Sequence, residues 1–202
     1  PDTNVKGSWN SGYMYDSTYI RCLSHVHAWQ LSGIPVLPTV GEMKGHLGMD
    51  VYKSSFTHEG EIARPGYHKV MLQDYNIVVE LTSTTRVGMH RYTYPKAKDA
   101  YILFDVGAFL GHSSMDFSQV RKVNNKELEG YSVMSPTSRR PKSTSIYFVA
   151  ILDKPMSSFG GWVENKIIHT KTNTIEGKNA GAYIHFSTKE NEQVQMKVAI
   201  SY

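Results

Sequence analysis

A two-residue period recurs along this chain, and it limits the folds available to it. In "GAYIHFST" Ala182, Ile184 and Phe186 alternate with Tyr183, His185 and Ser187. In "EQVQMKVAISY" Val194, Met196, Val198 and Ile200 alternate with Gln195, Lys197, Ala199 and Ser201. Alternate side chains of a strand point to opposite faces, so each run has one core face and one wet face. With "KENE" between them, the two runs predict a hairpin. "KVNNKELEGYSVM" predicts another, turning at Asn124-Asn125. "KVMLQDYNIVVELT" reads as two strands broken at Asp74. "AYILFDVG" and "SIYFVAIL" are continuous apolar runs that fit strands buried on both faces. Helix-period stripes are scarce, and turn signals recur at "PGY", "YPKAKD" and "EGKNAG". The expectation is an all-β fold, a large antiparallel β-sandwich with few short helices, occupying residues 1–202 as one domain.

The run "ELTSTTRVGMHRYTYP" (80–95) strains this pattern. Read as part of one long strand over 77–94, it places Glu80, Thr82, Thr84, Arg86, His90 and Tyr92 on one face. That face is too polar for a core. It predicts a concave or interface surface of a broad sheet, with Arg86 and Glu80 pinning neighbouring loops.

Bulk properties exclude several classes. The net charge is +4, with a sequence pI near 9.0, and it is scattered. Only "SRRPK" (138–142) is densely basic, and it sits among loop residues, so nucleic acid is not an expected partner. Cys22 alone permits neither an internal disulfide nor a multi-cysteine zinc site. No apolar run approaches the length of a membrane span. The opening "PDTNV" lacks an initiator Met, which predicts a fragment or a processed chain.

Two segments concentrate chemistry. "LSHVHAWQLSG" (23–33) carries Ser24, His25, His27 and Trp29. If extended, His25 and His27 share a face, as a metal pair would, yet with no carboxylate or Cys beside them histidines that only make hydrogen bonds are the better reading. "WNSGYMYD" (9–16) gathers Trp9, Tyr13, Tyr15 and Asp16, either a sugar platform beside polar groups or an edge strand with turn residues. Glycoside hydrolysis needs two carboxyl groups across one bond. Asp16, Glu42, Asp50, Glu59, Glu61 and Glu80 are available, and no spacing marks a pair. The residues alone mark no self-contained catalytic set and assign no metal ligand.

The segment "SFTHEGEIARPGYHKVMLQDYNIVVELTSTTRVGMHRYTYP" (55–95) resembles the N-terminal domain of the exo-α-mannosidases of glycoside hydrolase family 92. "PDT", "W-x-x-GYMYDS", "LSHVH", "ELEGYSV" and the final "GAYIHFSTKENEQVQMKVAISY" extend the resemblance over essentially the whole chain. It implies a β-sandwich packed on a C-terminal (α/α)6 catalytic domain, with the active site between them. It also implies inverting removal of terminal α-mannose from glycans, dependence on Ca2+ bound mainly outside this chain, and a periplasmic or secreted location. The catalytic carboxylates would come from the C-terminal domain. Trp9 matches the family's mannose-contacting Trp. His25 and His27 match a loop at the domain interface, which departs here by "RC" and an inserted "AWQ" and leaves the linkage cleaved open. The resemblance makes Trp9, His25 and His27 the substrate-binding candidates. A free-standing lectin-like sandwich that binds carbohydrate without cutting it is the alternative, and a purely structural sandwich a third.

Overall fold

The computed structural model describes residues 1–202 except 4–11, 28–31, 112–113 and 169–171, and the side chains of 26, 27, 32, 167 and 168. In chain order the strands begin with β1 (Tyr19–Ile20), β2 (Val26–His27), β3 (Ser32–Gly33) and β4 (Val36–Val40). A 3₁₀ turn (Gly45–Leu47) and a single-turn helix α1 (Met49–Tyr52) follow. Then come β5 (Ser54–Ser55), β6 (Ile62–Arg64), β7 (Tyr67–Leu72), β8 (Ile77–Ser83), β9 (Val87–Tyr94) and β10 (Ala97–Phe104). The rest are β11 (Met115–Asn124), β12 (Glu127–Met134), β13 (Thr144–Leu152), β14 (Ser158–Val163), β15 (Lys166–Ile168), β16 (Thr174–Gly177), β17 (Gly181–Thr188) and β18 (Glu192–Ser201).

Two antiparallel sheets form the sandwich. The larger has nine strands in the order β16-β11-β12-β13-β18-β9-β8-β7-β6, and the smaller five, β15-β14-β17-β10-β4. Their inner faces meet through aromatic side chains. Phe104 of β10 stacks on Phe148 of β13 with centroids 6.0 Å apart, and Tyr94 of β9 meets Phe186 of β17 edge to face at 5.5 Å. Around these rings Ile102, Ile184, Val120, Leu128, Ile146 and Met196 are fully buried. Each side chain of this size removed from water contributes about 1.5–3 kcal/mol before entropy is counted. Buried serines are satisfied across the core: Ser132 donates to the Val106 carbonyl at 2.7 Å and Ser118 to that of Ala180 at 3.0 Å.

The all-β sandwich expected from the sequence is present, as is the hairpin at 124–127. Three local expectations are corrected. The runs 181–188 and 192–201 are not a hairpin: β17 lies in the five-stranded sheet and β18 in the nine-stranded one. The turn between them crosses from layer to layer, so both apolar faces look into one core. The stretch 77–94 is not one strand but the hairpin β8–β9, in which Thr84 N–H donates to the Val87 carbonyl. The three-residue turn shifts the phase. Ile77 and Val79 face inward on β8, whereas His90, Tyr92 and Tyr94 do so on β9. Glu80 accordingly pairs with Arg91, not Arg86. Finally, β13 is buried on one face only, with Tyr147 and Ile151 about half exposed on the other.

Candidate functional site

A cavity of about 540 Å3 opens where Ser24 and His25 meet the β6–β9 end of the large sheet. Its walls include Ser24, His25, Arg64, His68, Arg86 and His90, with a row of hydroxyls from Thr82 to Thr85. Such a size and mixture suit a polar ligand held by a few convergent groups.

Its floor is a chain of hydrogen bonds. His25 Nδ1 lies 2.7 Å from the Ile34 carbonyl, and its Nε2 lies 2.7 Å from Nε2 of His90. His90 Nδ1 lies 2.8 Å from the Tyr92 hydroxyl. A carbonyl can only accept, so Nδ1 of His25 carries hydrogen and, in the neutral ring, Nε2 accepts. His90 then donates from Nε2 and accepts the Tyr92 hydroxyl at Nδ1. All three bonds run in one direction, and both rings are neutral. Burial pushes the His25 pKa down to about 4 against its hydrogen bond to Ile34, and pushes His90 well below the ordinary range, with His25 adding to the effect. Gly88 completes the fit, because a Cβ there would come within 3.0 Å of the His25 ring.

The entrance loop is anchored from the chain start. Asp2 is buried, and its carboxylate accepts the Ser24 N–H at 2.9 Å, with the Cys22 thiol 3.6 Å away. Burial first, and then Asp2, raise the Cys22 pKa and keep this thiol protonated.

A second cluster adjoins the first through His68. Glu61 accepts hydrogen bonds from the Tyr13 hydroxyl at 2.8 Å, from His68 Nε2 at 2.7 Å and from His58 Nδ1. Burial pushes the Glu61 carboxyl up, but these three donors outweigh it and hold the pKa below normal. His58 is drawn toward its cation by Glu61, whereas burial lowers the His68 pKa and leaves that ring a neutral donor. Tyr15 stacks flat on His58, with centroids 4.0 Å apart and rings 4° from parallel. Tyr13 precedes the 14–17 turn and Tyr15 lies within it, and both are held by this cluster.

Of the sequence candidates, His25 is placed at the cavity. His27 lies on β2, paired with Ser32, and its side chain is outside the described residues. Trp9 lies outside the described residues as well. His58, Glu61, His68 and His90 were not singled out as site residues: His90 meets His25 from 65 positions away and Tyr13 meets Glu61 from 48, while the local His58–Glu61 and Glu61–His68 pairs match no recognised motif. No group of three or more His, Cys, Asp or Glu among the described residues is arranged to hold a metal ion. No helix among them is long and apolar enough to cross a membrane.

The class of protein this fold defines is a large two-sheet antiparallel β-sandwich with an open cavity beside its nine-stranded sheet. The family model of the glycosyl hydrolase family 92 N-terminal domain matches residues 1–201, and the chain belongs to that family. A solved family 92 α-mannosidase of Bacteroides thetaiotaomicron is 30% identical and superposes with a TM-score of 0.84, covering 100% of this chain and 29% of that protein. A second structure of that enzyme, in complex with mannoimidazole, matches 94% of this chain and 27% of its own, at 30% identity and a TM-score of 0.80. An inverting family 92 mannosidase of the same species shares the fold at 20% identity and a TM-score of 0.82, with 100% of this chain and 26% of that one covered. No curated protein matches. The chain thus spans under a third of the length of these relatives, whose remainder implies a C-terminal domain.

Proposed function

We propose that this chain is the N-terminal domain of an exo-α-mannosidase that removes terminal α-mannose from glycans with inversion. The observation that carries the reading is family membership over 1–201 together with the 30% identity to an α-mannosidase. The composition of the cavity supports it. Among the described residues lining it are imidazoles, guanidinium groups and hydroxyls, but no carboxylate. Inverting hydrolysis requires an acid and a base carboxyl on opposite sides of the bond. In this reading a C-terminal (α/α)6 domain supplies both and holds most of the Ca2+ ligands. Trp9 stacks on the sugar, His25 and His27 support the rim, and the enzyme acts in the periplasm or after secretion.

Assaying the chain 1–202 and the full-length protein on terminal α-mannosides tests the division of labour. The full-length protein should cleave and lose activity to a chelator, with recovery on adding Ca2+, while 1–202 should hydrolyse nothing. Appreciable cleavage by 1–202 overturns the proposal. Tight mannoside binding by 1–202 without cleavage by the longer protein favours the lectin-like alternative instead.

A further inference from the structure

A second cavity, about 300 Å3, shares no lining residue with the first. It lies where the 3₁₀ turn at Gly45–Leu47, the exit of β10 and the turns at 165 and 179 converge. Asp105 forms part of its wall. This carboxyl is 5% exposed, and its Oδ2 accepts the Tyr52 hydroxyl at 2.8 Å. Burial raises the Asp105 pKa to about 7, only partly offset by that hydrogen bond. His46 also lines the cavity, and its Nδ1 is buried without a hydrogen-bond partner. Trp162 is buried beside these groups, whereas Phe109 at the mouth is 39% exposed. Asn165 and Asn179 add exposed carboxamides, both on backbone with positive φ, at 65° and 52°.

A buried carboxyl with one modest anchor is costly unless something else bonds to it. We propose that this cavity binds one small, neutral, polyhydroxylated molecule of about one hexose ring. The volume is at the small end of ligand pockets and suits a single ring rather than a chain. A hydroxyl both donates and accepts, so it satisfies the Asp105 carboxyl in whichever form it takes. An ammonium group only donates and would leave a protonated acid unpaired. Phe109 offers its ring to the apolar C–H face of such a ligand, and the two carboxamides reach its outer hydroxyls.

The proposal is independent of the mannosidase reading, and its test reads this cavity alone. The full-length protein is labelled with 5-fluorotryptophan, and the Trp162 fluorine resonance is assigned by its loss in Trp162→Phe. Methyl hexopyranosides of several configurations, and separately ethylamine, are titrated to millimolar levels. The expected result is a saturable shift of the Trp162 resonance with at least one hexoside. The affinity should drop about tenfold in Asp105→Asn and in Phe109→Ala, equivalent to one lost interaction of about 1.4 kcal/mol. Thermal melts matching the parent verify that the variants are folded. No shift with any hexoside, a response to ethylamine alone, or equal affinity in folded Asp105→Asn and Phe109→Ala overturns the proposal.

Discussion

Nε2 of His25 and Nε2 of His90 lie 2.7 Å apart, joining the entrance loop to the inner face of the large sheet through two neutral rings. Since folding depresses both pKa values, the unfolded chain binds more protons once the pH falls below the ordinary histidine value of 6.5. Stability is therefore highest above that pH and declines as pH drops toward about 4, where His25 begins to protonate in the folded state as well. Asp2 on the N-terminal segment favours the cation at His25 and moderates the decline. His90→Leu should strand the Tyr92 hydroxyl and His25 Nε2, costing about 1–3 kcal/mol at pH 7.5, and should flatten the melting-temperature profile between pH 6.5 and 4. A variant as acid-sensitive as the parent would show that the pair does not set this slope.

Glu61 joins Tyr13, His58 and His68, and so fixes the turn that follows Trp9 in sequence. Glu61→Gln keeps the shape but turns one acceptor into a donor facing groups that themselves donate. The expected loss is about 1–3 kcal/mol of stability. If the 9–16 segment contacts sugar as proposed, the full-length enzyme should also show a higher KM for mannosides with a smaller change in kcat. Steady-state kinetics beside a thermal melt separates the two effects.

The strands were legible because alternation reports which side chains share a face. It does not report which strand lies alongside. Nothing in Ala182, Ile184, Phe186, Val194, Met196 or Val198 says that β17 and β18 belong to opposite sheets, since either arrangement buries the same residues. The turn at 84–86 was hidden for another reason. Thr84, Thr85 and Arg86 include none of the Gly, Pro, Asn or Asp residues that usually mark a chain reversal. With the turn unseen, Glu80 and Arg86 were placed on one face of a single strand, whereas the register sets Glu80 opposite Arg91. His25 could be singled out from its local cluster. Its partner His90 lies 65 positions away, and only the tertiary fold brings the two together.

Gly130 sits at the centre of β12, where no side chain fits. A Cβ built there would lie 2.1 Å from the Gln119 carbonyl oxygen and 2.8 Å from the Phe148 ring. The first obstacle is backbone of the neighbouring strand, which cannot rotate away. Gly130→Ala should therefore cost at least the 1–3 kcal/mol typical of overpacking, despite the better strand propensity of alanine. Denaturant unfolding would measure it, and a neutral result would mean that β11 and β12 can separate locally at little cost.

Glu80 and Arg91 form a cross-strand pair on the outer face, with Arg91 nitrogens 2.6 and 2.7 Å from the carboxylate and the Tyr67 hydroxyl donating at 2.6 Å. The Arg91 hydrogen bond holds the Glu80 pKa down to about 2, against some desolvation. A depressed carboxyl stabilises the fold above its unfolded value of 4.5, and the contribution is lost as pH falls through the folded value. The Arg91 side chain is 44% exposed, so solvent screens the pair and its worth should be no more than about 1 kcal/mol. Arg91→Met keeps the aliphatic stem over the sheet while removing the charge. It should lower stability by less than about 1 kcal/mol at pH 7, with the difference from the parent shrinking as both are taken from pH 4.5 toward 2. A loss of several kcal/mol at neutral pH would mean instead that Arg91 organises Tyr67 and the β7–β9 surface beyond its contact with Glu80.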